Sequence, residues 1–152
     1  MVETPVCALV PNVKPHHKHL IRKSFATIEA HGPIAALIFY RHLFEQDPEL
    51  RPLFKGDIEI QGKKLTDMMG SLIGLLERGP DFEAELEAMG ARHVGYGVQD
   101  SHYASVGSAL LGMVAEVLGG DLTPEVKEAW TSLYETVEVM MKRGAAAATA
   151  PC

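Results

Sequence analysis

The stretch Arg92-His93-Val94-Gly95-Tyr96-Gly97-Val98-Gln99-Asp100-Ser101-His102-Tyr103 sets two histidines and two tyrosines around a glycine-rich break. Before the break, Leu86, Met89 and His93 return at three- and four-residue intervals, so they share one face of a helix. After it, Tyr103, Val106, Leu110, Val114 and Val117 repeat on one side of a second helix. A buried polar ring without a partner costs on the order of a few kcal/mol. His93 is therefore either a core histidine satisfied by a carbonyl or a ligand, and the choice decides what kind of helical protein this is.

The same periodicity extends outward over nearly the whole chain. A helix is expected from Lys14 or Pro15 to His31, and a second from Gly32-Pro33 to Phe44, with proline tolerated in its first turn. Asp47-Pro48-Glu49 reads as the cap of a short third helix reaching Phe54. Leu65, Met68, Met69, Leu72, Leu75 and Leu76 form an apolar stripe within a helix from Ile60 to Glu77, and a further helix runs from Phe82 to Val94. Asp100 or Ser101 is the expected cap of the helix after the break. Thr123-Pro124-Glu125 opens the last one along Val126, Trp130, Leu133, Val137 and Met141. Asp57-Ile58-Glu59-Ile60-Gln61 alternates like a strand but has no partner to pair with. The fold class is all-α.

The 152 residues suit one domain with one substantial core, expected over 14–143 between flexible tails at 1–13 and 144–152. A formal net charge of −6 offers no basic surface, which argues against nucleic acid as a partner. Cys7 and Cys152 both sit in tail segments, so a disulfide framework is not expected. The N-terminal segment lacks a basic leader, and no uninterrupted apolar run approaches the roughly 18 residues that span a bilayer. A cytoplasmic protein with no membrane partner is the expectation.

Three polar residues fall where the pattern calls for apolar ones: His93, Tyr40 between Leu37 and Phe44, and Gln61 at the head of the Leu65-Met68 stripe. Taken singly, each has a bland reading, as a bonded core histidine, a tyrosine reaching solvent and an exposed glutamine. Together they place one imidazole opposite a phenol and an amide, the pattern of a metal or haem ligand facing hydrogen-bond donors. With no thiolate or carboxylate cluster, zinc and calcium are disfavoured and a macrocycle must supply the remaining coordination.

The segments IFYRHLFEQDPELRPLF (38–54), QGKKL (61–65), RHVGYGVQDSHYASVGSALL (92–111) and EAWTSLY (128–134), spread over most of the chain, resemble the globin family. The likeness is to single-domain bacterial haemoglobins and to the haem domain of flavohaemoglobins. It implies a globin fold around haem b, iron protoporphyrin IX, with His93 as the proximal iron ligand and its second ring nitrogen bonded to a carbonyl one turn back. Tyr40 and Gln61 match the distal donors and Leu65 the apolar residue beside them. Phe54 matches the wedge against the porphyrin. Phe39, Met89, Val98, Tyr103 and Val106 are expected to contact the cofactor. Lys64 and Arg92 are candidates for pairing with its propionates, Lys64 alternatively for binding iron itself after losing its proton. His102 has no matching role and reads as an edge residue, and His16, His17 and His19 read as a solvated run.

The resemblance implies reversible binding of dioxygen, and of carbon monoxide and nitric oxide, for storage or delivery. Bound dioxygen carries partial negative charge, so each distal hydrogen bond contributes about 0.5 to 1.5 kcal/mol. The alternatives are a nitric oxide dioxygenase, or a haem enzyme handling sulfide or peroxide, working with a separate reductase, and a gas or redox sensor. In flavohaemoglobin-like domains a late glutamate polarises the proximal histidine. Here that position falls near Ala145 among alanines, which implies a weaker push of electron density toward iron.

Overall fold

A computed structural model describes residues 13–54, 57–95 and 98–149. Cys7, Tyr96, Gly97 and Cys152 lie outside them, as does nearly all of the expected N-terminal tail. Among the described residues there are six α-helices and no strand: α1 (Pro15–Ala30), α2 (Gly32–Gln46), α3 (Ile58–Gly74), α4 (Gly79–Gly95), α5 (Asp100–Leu118) and α6 (Pro124–Thr149). The described residues also include two 3-10 turns, Pro48–Leu53 after α2 and Gly119–Asp121 after α5.

The helices form where apolar faces require them. In α1, Ile21, Ser24, Phe25 and Ile28 are buried at helical spacing. α2 packs on α5 and crosses α3, while α6 packs on α1 and α4. At the α2–α3 crossing, a Cβ on Gly62 would stand 2.7 Å from the Ala36 Cβ, so a bare backbone is needed there. Glu116 of α5 accepts hydrogen bonds from Arg41 and from His42 of α2, the latter at 2.7 Å.

Trp130 sits at the centre with no exposed surface. Its indole N–H donates to the Ser24 hydroxyl at 2.8 Å, and that hydroxyl donates to the Leu20 carbonyl at 2.7 Å. Ser24→Ala would strand a buried donor. We expect it to destabilise the fold by about 1 to 3 kcal/mol in urea denaturation, and an unchanged midpoint would show that water replaces the hydroxyl.

Several local expectations are corrected. α3 starts at Ile58, because the Asp57 side chain caps it by accepting from the Glu59 N–H at 2.7 Å. α4 starts at Gly79, ahead of the expected Phe82. The α5 cap is Gln99: its side chain accepts from the His102 backbone, while its own N–H donates to His102 Nδ1 at 3.0 Å. Asp47 precedes its 3-10 turn without a side-chain cap bond and instead accepts from Ser105 at 3.3 Å. Thr123 caps α6 as expected, accepting from the Val126 N–H. α6 continues to Thr149, past the expected end near Arg143. His17, expected to be solvated, is 2% exposed.

By length and composition, Ser101–Asp121 is apolar enough to cross a membrane, with a mean hydropathy of 1.3. Its valines, leucines and alanines raise that value, while serines and glycines interrupt the apolar run. In this fold the helix packs on α2 and α6, with Ala109, Met113 and Val114 buried.

Candidate functional site

A cavity of about 790 Å³ opens between α2, α3, α4, α5 and α6, within the size range of small-molecule and cofactor sites. Its walls are mostly apolar. Tyr40 and Phe39 enter from α2, Gln61, Lys64 and Leu65 from α3, Met89 and His93 from α4, Val98 precedes α5, and Tyr103 and Val106 come from α5. Phe54, after the first 3-10 turn, closes one end. Every residue expected at the site lines this cavity except Arg92, whose guanidinium pairs with Glu85 at 3.2 Å on the α4 surface.

His93 is half-buried, and its Nδ1 donates to the Met89 carbonyl at 2.6 Å. That bond fixes the tautomer and leaves Nε2 as the basic nitrogen. Burial pushes the imidazole below its ordinary value near 6.5, against the Met89 bond, which raises it, and helped by Arg92, which lowers it. The ring is thus a neutral donor at physiological pH, the form a metal requires.

Tyr40 is 4% exposed and sits in an aromatic cage. Phe39 and Phe54 meet its ring edge-on at 5.2 and 5.3 Å, and Phe44 stacks at 5.8 Å. Burial pushes the phenol up to about 12, so it remains a proton donor at neutral pH. Gln61 and Lys64 lie on one turn of α3 and both reach the cavity, whereas Lys63 turns outward to Asp67 at 2.9 Å. Lys64 is exposed, as a group at the mouth would be.

The walls also include residues that the sequence reading treated as core or edge. Trp130, Leu133, Val137 and Met141 of α6 present the apolar stripe already visible in the sequence. Tyr134 joins them and donates its hydroxyl to the Tyr103 carbonyl at 2.6 Å. Its ring lies over Gly107, where a Cβ would come within 2.5 Å. His102 is a wall residue as well as a cap, a role no spacing announced.

A single imidazole opposite a phenol and an amide, in an apolar cavity between helices, defines an all-α protein built to hold a planar metal macrocycle. The globin family pattern matches residues 37–141, and the chain belongs to the globin family. It is 30% identical over 131 residues to a flavohemoprotein of Xylella fastidiosa, covering 84% of this chain and 33% of that protein. A flavohemoprotein of Deinococcus radiodurans is 30% identical over 130 residues, covering 84% and 32%. The chain thus spans about a third of the length of these curated relatives. Among solved structures, a myoglobin variant from Aplysia limacina superposes with a TM-score of 0.76 at 20% identity, covering 86% of this chain and 97% of that one. The flavohemoglobin of Malassezia yamatoensis, solved with bound FAD and heme, gives 0.71 at 22%, covering 88% and 36%. The globin cofactor is haem b, and the tautomer of His93, the apolar walls and the facing donors fit it.

Proposed function

We propose that this chain is a haem protein that binds dioxygen reversibly, with His93 Nε2 as the iron ligand and Tyr40 and Gln61 as distal donors. The observation that carries the reading is the His93–Met89 bond, which presents a neutral Nε2 to the same cavity that Tyr40 and Gln61 line. Haem held by His93 would supply the iron that binds dioxygen, carbon monoxide or nitric oxide. The Tyr40 phenol and Gln61 amide favour the ligand that gathers negative charge, and the aromatic rings around Tyr40 leave its side chain little contact with water. Leu65 and Val106 keep the cavity apolar. The exposed Lys64 suits a haem propionate better than the iron, because its ammonium stays hydrated at the mouth.

Tyr40→Phe removes one such bond. At 0.5 to 1.5 kcal/mol, oxygen dissociation should speed up by roughly two- to ten-fold in stopped-flow measurement. An unchanged rate would remove Tyr40 from the distal site.

The flavohemoprotein relatives favour a second reading, nitric oxide dioxygenation with electrons from a separate reductase. Sustained nitric oxide consumption over many turnovers with an added flavoprotein reductase supports it, and a single stoichiometric turnover supports the carrier.

A further inference from the structure

Glu138 and Lys142 lie one turn apart on α6 and meet at 2.8 Å. Their side chains are only 30% and 35% exposed, so solvent screens them less than an ordinary surface pair. Lys142 Nζ stands 5.6 Å from the centre of the Tyr103 ring, and Tyr103 is a buried wall of the cavity. On the other side of the pair, Glu138 acts on Tyr134. Burial first, then the Glu138 carboxylate and Tyr103, hold that phenol well above its ordinary value. Tyr134 in turn donates to the Tyr103 carbonyl. Met141, next to Lys142, touches Gly90 of α4, and the adjacent Met89 carbonyl accepts the hydrogen bond from His93 Nδ1.

Two opposite charges therefore bear on the His93 side of the cavity, each through one tyrosine. As a pair they form a short dipole whose field falls off quickly. Removing one partner leaves a whole unit charge that solvent screens only in part. A separate charged pair, Arg143 of α6 with Glu87 of α4 at 2.9 Å, keeps both its partners in either removal.

We infer that the Glu138–Lys142 pair is a charge-balancing device that sets the reduction potential of the haem held by His93. This rests on the haem reading above. Glu138 alone would stabilise the more positive, oxidised centre, and Lys142 alone the reduced one. Both are positioning residues acting through the cavity wall, and neither touches the ligand.

The test is a spectroscopic redox titration of the haem-loaded protein, with the iron–histidine stretching band recorded in the ferrous state. Lys142→Met should lower the midpoint potential and raise the stretching frequency. Glu138→Gln should do the reverse, and the double variant should return to the parent value. The charge-keeping Lys142→Arg and Glu138→Asp should stay at the parent value, which covers the case in which a neutral variant folds poorly. Shifts of the same sign in both single variants, or none in either, would overturn the proposal while leaving the haem reading intact. A parent without a His93-dependent haem spectrum would overturn both.

Discussion

His93→Ala is expected to yield a folded helical protein that no longer holds haem, seen as loss of the Soret band after reconstitution. The helical face around His93 is carried by Leu86 and Met89, which are 0% and 5% exposed, so the imidazole contributes little to packing. Its contribution is chemical, because Met89 holds Nδ1 and no other imidazole in the cavity has its tautomer fixed this way. His102 lines the same cavity, but its Nδ1 accepts from the Gln99 N–H and is committed to the α5 cap. A His93→Gly variant supplied with free imidazole should regain the band, which separates lost ligation from lost fold. Retention of a five-coordinate spectrum in His93→Ala would assign the iron to another residue. The same imidazole gives the apoprotein a pH dependence. Its folded pKa lies below the unfolded value near 6.5, so protonation is harder in the native state. The stability this represents is present above pH 6.5 and is lost as pH falls through the lower folded value. Urea denaturation of the apoprotein should show His93→Gln losing part of the acid sensitivity of the parent.

The convergence of His93, Tyr40 and Gln61 was legible because each breaks an apolar stripe, and a buried polar group on a regular face has to be accounted for. The stripes themselves follow from helix geometry, which is why Trp130, Leu133 and Met141 could be placed on one face of the last helix from their spacing alone. What stayed hidden depends on partners distant in sequence or on atoms that spacing does not describe. His102 looks like any polar residue near a helix start, and only the fold shows that it also forms part of the cavity wall. Arg92 neighbours the ligand in sequence yet leaves the cavity for Glu85, since adjacent helical positions point about 100° apart. The alanines after Gly144 carry no amphipathic signature and read as a tail. Alanine is nonetheless the strongest helix former, and nothing there interrupts the ladder before Thr149.

Gly90→Ala and Gly144→Ala are each expected to destabilise the protein by about 1 to 3 kcal/mol or more, the cost of overpacking a close contact. A Cβ on Gly90 would lie 1.9 Å from the Met141 carbonyl oxygen, and one on Gly144 would lie 1.9 Å from that of Glu87. The contact is reciprocal, since Glu87 and Gly90 are three residues apart on α4 and Met141 and Gly144 three apart on α6. Both obstacles are backbone, so no side chain can swing aside and the helices must separate. The intrinsic preference of helices for alanine, about 0.8 to 1.0 kcal/mol over glycine, opposes this loss but is smaller than the clash. Gly70, inside α3, is the control: a Cβ there would meet only ordinary contacts, the nearest at 3.7 Å to Phe25. Gly70→Ala should therefore stabilise by about 0.5 to 1 kcal/mol. Because α4 carries His93 and Met141 forms part of the cavity wall, pushing the two helices apart should also speed haem loss in Gly90→Ala and Gly144→Ala but not in Gly70→Ala. Urea midpoints with haem-transfer rates for the three variants decide the matter, and alanine at both crossing positions as stable as the parent would mean that the helices do not approach this closely.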